Sequence, residues 1–164
     1  MKTLVRITLA IVVVGSLTVA PAYAGGVIHG TVAMKIENNT TIYADWLRVL
    51  LVRDKIPVPT LPDLETINKF KRMEQIRTAH MDFYIAARDK LAQDGFVVAA
   101  KMTTPEGVFF FDNVDPGKYY ILVTFPAMIK TYKVAWQVPV TLKDDETIAV
   151  ELNNGNMVLP TYSR

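Results

Sequence analysis

The chain has no cysteine in its 164 residues, which excludes a disulfide framework, a thiolate zinc site and c-type haem attachment. Histidine is nearly as scarce, with only His29 and His80. After residue 24 the single serine is Ser163, so the folded body has no serine nucleophile to offer. No glycine-rich phosphate loop is present. Net charge is also missing from most of the chain. Residues 1–24 hold two of the 18 basic residues, Lys2 and Arg6, and no acid. Sixteen residues of each sign are therefore left in 25–164, and the electrostatic footprint of a nucleic-acid binder is absent. Beyond the first segment no long apolar run occurs, so no integral membrane span is expected in residues 25–164.

What is present begins with that first segment. Lys2 and Arg6 precede an apolar stretch, and Ala22-Tyr23-Ala24 is a small-x-small cleavage site. This is the pattern of a bacterial secretory signal peptide over residues 1–24. The alternative, a retained membrane anchor, is disfavoured because the apolar run is short for a spanning helix. Export to the periplasm or the extracellular space is the expectation. Residues 25–164 then make one domain of about 140 residues, enough for a real core.

Strand signals dominate this domain. Residues 26–34, 42–52, 96–102, 108–111, 119–125, 132–142 and 147–152 are rich in β-branched and aromatic side chains or alternate apolar with polar. Asp115-Pro116-Gly117 supplies a tight turn, Pro116 presetting φ and Gly117 accepting an unusual one. The reading is an aromatic hairpin. The expected fold is mainly β: an antiparallel seven-stranded Greek-key sandwich, with one long or kinked α-helical insertion between early strands. The tail from Asn153 onward carries no clear pattern.

That insertion spans about residues 60–95. From Asp63 to Asp94 neither Gly nor Pro occurs, and Gly95 stands where a helix would stop. Thr60 with Asp63 suggests the N-terminal cap. Met73, Ile76, His80, Phe83, Tyr84, Ala87 and Leu91 share one face, suited to covering a sheet or the sandwich edge. Leu64, Ile67, Phe70 and Met73 recur every three residues instead, which predicts a kink or a separate segment before Met73. Unbroken, 63–94 would reach about 48 Å. Met81 and Ile85 fall off the main face, one turn apart. They either pack on the flank of the core or form a partner-binding ridge.

Two stretches resemble a known family. Gly26-Val27-Ile28-His29-Gly30-Thr31-Val32 is similar to the opening strand of carboxypeptidase regulatory-like domains, which are transthyretin-like (prealbumin-like) β-sandwiches. The run from Gly107 to Tyr119 fills every fixed position of that family's G-x-F-x-F-x-x-V-x-P-G-x-Y motif. The helical insertion departs from the family, which usually has a short connection there. The resemblance implies a structural, adhesive or carbohydrate-contacting module without chemistry of its own. Related sandwiches include hydroxyisourate hydrolases, whose Tyr-Arg-Gly-Ser ending differs from Thr161-Tyr162-Ser163-Arg164. Others form Lys–Asn isopeptide bonds; Lys35, Asn153 and Glu106 match that chemistry by type alone.

The expected function is non-enzymatic: protein association or structural support in the cell envelope or outside it, through an envelope or extracellular protein or a second copy. The alternative is a carbohydrate or small-ligand module that uses Trp46, Trp136, Tyr119, Tyr120 and Tyr132. No catalytic residue, cofactor or metal ligand set is expected. His80 reads as a hydrogen-bonded core residue, and Asp112, Asp115 and Glu106 as turn residues more readily than calcium ligands.

Overall fold

The computed structural model describes residues 25–163. The expected leader over residues 1–24 lies outside them. Along the chain run β1 (Gly26–Lys35), β2 (Thr41–Tyr43), β3 (Arg48–Val52), α1 (Lys69–Leu91), β4 (Val97–Met102) and β5 (Val108–Val114). Then come β6 (Gly117–Val123), β7 (Met128–Ile129), β8 (Tyr132–Lys133), β9 (Trp136–Leu142), β10 (Thr147–Leu152) and β11 (Tyr162–Ser163).

The described residues form a mainly β protein with three sheets. One has β1 at its centre, flanked by β10 and β5, with β2 paired to the end of β1. The second runs β4-β3-β6-β9, and a small third runs β11-β8-β7. Two features correct the expectation of seven antiparallel strands. Eleven strands are formed among the described residues, and β1 pairs with β10 in parallel, from Val27–Thr147 to Val32–Leu152. A parallel neighbour requires a long connection, and here almost the whole domain lies between the two strands.

The aromatic run also differs from the expected hairpin. β5 pairs with β1, whereas β6 pairs with β3 and β9. Asp115 and Pro116 therefore carry the chain from one sheet to the other. The Tyr119 hydroxyl closes this corner by donating to the carbonyl of Asp115 at 2.8 Å. Turn chemistry fixes a reversal of direction, but it does not decide whether the two strands bond to each other.

Alternation places two cores on opposite sides of the second sheet. Val49, Leu51, Ile121 and Val123 point toward the first sheet and meet Ile28, Val32, Phe109, Phe111 and Trp136. Leu50, Val52 and Leu122 point the other way and meet Ala79, Phe83 and Ala87 of α1. Thus β3 is buried on both faces, which explains why Val49-Leu50-Leu51-Val52 is continuously apolar. The molecule has three layers: sheet, sheet, helix. The expected strand over 42–52 is broken, because residues 44–47 form a turn between β2 and β3.

The helix is shorter than the run without Gly or Pro. Asn68 is its N-cap, its side-chain oxygen accepting from Lys71 N at 3.0 Å. Asp63 instead organises a preceding turn, accepting from Glu65 N through its side chain and from the Thr66 hydroxyl through its carbonyl. The Arg72 guanidinium donates to Leu64 O and ties that turn to the first helical residues. The drifting stripe of Leu64 and Ile67 is accordingly not helical. Twenty-three residues give a rod of about 34 Å. The helix also ends earlier than expected, with Ala92 as its C-cap; Gly95, at φ +74°, belongs to the turn that follows and not to the helix stop.

The tail is integrated into the fold. Met157 bridges Trp136, Leu159 is buried in the helix-facing core, and β11 pairs with β8. Asn153 and Asn156 form a reciprocal capping box there.

Candidate binding surfaces

The face of α1 directed away from the sheet carries Phe70, Met81 and Ile85, which are 87, 44 and 42 % exposed. Phe70 and Met81 lie about three helical turns apart and so share a face. Glu74, Arg77 and Arg88 lie on the same stripe, all exposed. Ile76, Ala79, His80, Phe83 and Ala87 are buried on the opposite side, whereas Met73, Tyr84 and Leu91 are half-buried on its shoulder.

Two grooves flank that shoulder, meeting at Phe125. One is lined by Met73, Arg77, Met81, Phe125, Lys133 and Tyr162. The other lies between the C-terminal half of α1 and residues 124–128, and Trp46 stands at its lip. Phe125 packs on Tyr84 with ring centroids 5.1 Å apart, and the Lys133 ammonium sits 4.6 Å from its ring centroid. A cation over an aromatic face is held by the ring quadrupole.

The sheet aromatics separate into two groups. Trp136 and Tyr119 are core residues, and the Trp136 indole donates to Asn153 O at 2.9 Å. Tyr120 and Tyr132 are half-buried against the two cores. Trp46 is 69 % exposed, but it belongs to the turn before β3 and not to a strand. Sequence periodicity missed two further exposed aromatics, Tyr43 and Phe110. Both are on the outer face of the first sheet, where Phe110 opposes His29 and Tyr43 opposes Ala33. The alternation of β5 was the available signal, since Phe109 and Phe111 face inward.

Trp46 is held by a specific device. Its φ is +51°, an outlier for a bulky side chain. The buried Thr103 hydroxyl accepts from Leu47 N at 2.8 Å and donates to Ala44 O, clamping the turn from both sides.

The titratable candidates take structural places. His80 is buried, its Nε2 lies 2.9 Å from the Pro160 carbonyl and its ring meets Tyr162 edge-on. A carbonyl only accepts, so Nε2 carries a proton. Burial lowers the His80 pKa below the usual histidine value; the Pro160 bond opposes that shift, and the charge of Lys133 adds to it. His29 is on a strand of the first sheet, away from His80. Asp112 pairs with Lys101 at 3.4 Å, and Asp115 supplies its carbonyl to Tyr119. No group of three or more His, Asp or Glu among the described residues is placed to hold a metal. Lys35 and Asn153 are exposed, and the Asn153 amide oxygen is engaged by Gly155 N at 2.9 Å. No described helix is long and apolar enough to cross a membrane.

No family model and no curated protein matches the chain. The resemblance to carboxypeptidase regulatory-like domains thus rests on its motif residues alone. Among solved structures, the chain is similar to a minor pilin of Streptococcus agalactiae, with 12 % identity and a TM-score of 0.47, over 87 % of this chain and 48 % of the pilin. It is similar to a protein of Pseudomonas aeruginosa described as a candidate carbohydrate-binding protein, with 16 % identity and a TM-score of 0.45, over 80 % and 90 % of the two chains. A third similar structure is the major pilin subunit of Bacillus cereus, with 13 % identity and a TM-score of 0.42, over 79 % and 30 %. The chain spans about half the length of the first pilin.

Proposed function

We propose that this chain is an exported, non-enzymatic β-sandwich module whose helical insertion mediates protein association in the cell envelope or outside it. One observation carries this reading. Phe70, Met81 and Ile85 form an exposed apolar stripe on a helix whose other side is fully engaged in the core. Apolar side chains gathered on one exposed helix face are the usual substrate of helix-mediated contact.

The partner best suited to that stripe is a second copy. Glu74 and Arg88 each lie two turns from Met81, in opposite directions. Antiparallel pairing of two α1 helices about Met81 sets Glu74 of one copy against Arg88 of the other, twice, as a two-fold interface demands. Sedimentation of the purified chain tests this. A concentration-dependent dimer that Glu74→Arg or Arg88→Glu weakens, and that the double exchange restores, is expected. A monomer at every concentration would leave only a different envelope partner, to be sought by cross-linking in intact cells.

The second reading is a carbohydrate-binding module. Phe110 and Tyr43, exposed on the outer face of the first sheet, favour it; the burial of Trp136 and Tyr119 removes two of the aromatics on which it drew. A glycan array probed with the wild type and with Phe110→Ala separates the two.

A further inference from the structure

Apart from Arg88, the groove below Trp46 has features that neither reading uses. Its volume is about 700 Å³, within the range of small-molecule sites. The walls are largely apolar, with Leu47, Leu50, Leu91, Phe125 and Met128 among them. Two guanidinium groups line it, from Arg48 and Arg88, and no carboxylate is among its lining residues.

Three features of the groove suit a ligand there. The first is Thr124, whose hydroxyl is the only buried side-chain polar atom among the described residues with no hydrogen-bond partner. Leaving such a group unmatched costs about 1–3 kcal/mol. The second is Arg48. Its side chain makes no ion pair among the described residues, whereas Arg88 already pairs with Asp89 at 3.1 Å. Register sets these two anchors side by side. Leu50 pairs with Leu122, and two residues further along both strands stand Arg48 and Thr124, on the helix-facing side of the sheet. The third is Trp46, an exposed indole kept in a left-handed backbone conformation by the Thr103 clamp. Strain of this kind costs about 1–3 kcal/mol and gathers at ligand clamps.

We infer that this groove binds a small organic carboxylate, with a ring body lodged between Trp46 and Phe125 and its anion at Arg48 and Thr124. The guanidinium fork matches a carboxylate in shape as well as charge. The aromatic pair supplies apolar area with a defined geometry. An uncharged ring lacks the first anchor, and a cation meets two arginines. The site is apart from the outer face of the first sheet and shares only Arg88 with the outward stripe of α1; Arg48, Thr124 and Trp46 lie off that stripe, so their variants test the site without touching the association reading.

The test uses the purified chain, whose only two tryptophans are Trp46 and the fully buried Trp136. Their indole N–H resonances are assigned by Trp46→Phe. The probes are 2-naphthoate and its uncharged isostere 2-naphthamide. Saturable movement of the Trp46 resonance with naphthoate, at least tenfold tighter than with the amide, is the expected result. Arg48→Gln removes the preference for the acid over the amide, and Arg48→Lys restores part of it. Arg48 is exposed at the end of β3, so both variants should fold, which the undisturbed Trp136 resonance verifies. Equal affinity for acid and amide, or no saturable shift of Trp46 at millimolar probe, overturns the inference.

Discussion

The side chain of Asn154 replaces a β-strand for Lys35. Its amide oxygen accepts from Lys35 N at 2.7 Å, and its amide nitrogen donates to Lys35 O at 2.9 Å. One residue from the tail thereby satisfies both backbone groups at the end of β1. Asn154→Asp keeps the acceptor but turns the donor into a second acceptor facing a carbonyl. A loss of about 1 kcal/mol is expected in urea denaturation, the ordinary value of one hydrogen bond. An unchanged midpoint would mean that water serves Lys35 equally well.

His80 makes the fold sensitive to acid. Burial holds its pKa in the folded chain below the unfolded value of 6.5. The unfolded state therefore takes up a proton first as pH falls. Stability is complete well above 6.5, declines as pH drops through that value, and levels off below the folded pKa. Burial is the main cause, and the charge of Lys133 adds to it. Denaturation of His80→Gln across pH 5 to 8 should show a flatter profile than the wild type. Parallel profiles would remove His80 as the source.

Phe83 is fully buried between α1 and the second sheet. Phe83→Ala should cost about 3–5 kcal/mol, the range for deleting a buried aromatic. Because Leu50, Val52 and Leu122 share that core with Phe83, far-UV and near-UV signals are expected to fall together. A helix that melts alone, at lower denaturant, would show that α1 is not cooperative with the sandwich.

Thr103→Val deletes the clamp on the turn that carries Trp46. Leu47 N and Ala44 O both lose their partner, with an expected cost of about 1–3 kcal/mol. The Trp46 indole resonance should broaden or shift while that of Trp136 stays in place. A fixed Trp46 resonance would show that other contacts hold the turn.

Much of the sandwich was legible. The strand expected over 147–152 coincides with β10, and β1 exceeds its expected bounds by one residue. The helix was visible in its apolar face from Met73 onward, because that periodicity reflects the very side chains buried on the sheet. Pairing was not legible. The 108–125 run has strong turn chemistry, yet its strands join different sheets, a choice made by the partners β1 and β3. The helix starts at Asn68 and not at the expected Thr60–Asp63 cap, because Asp63 serves a local turn with Glu65 and Thr66 as readily as a cap. Of the surfaces, Met81 and Ile85 could be read from angular position on the helix. The groove below Trp46 could not, since it draws on residues from 46 to 128 that only tertiary packing unites.

The measurement that bears most directly on the association reading is photo-cross-linking from single positions of α1. A photoreactive residue is placed at Met81, on the outward stripe, or at Gln75, exposed on the helix's other flank. The account predicts an adduct of twice the chain mass from position 81, little from position 75, and loss of the adduct when Ile85→Glu is added. Equal cross-linking from both positions, or none from position 81, would contradict it.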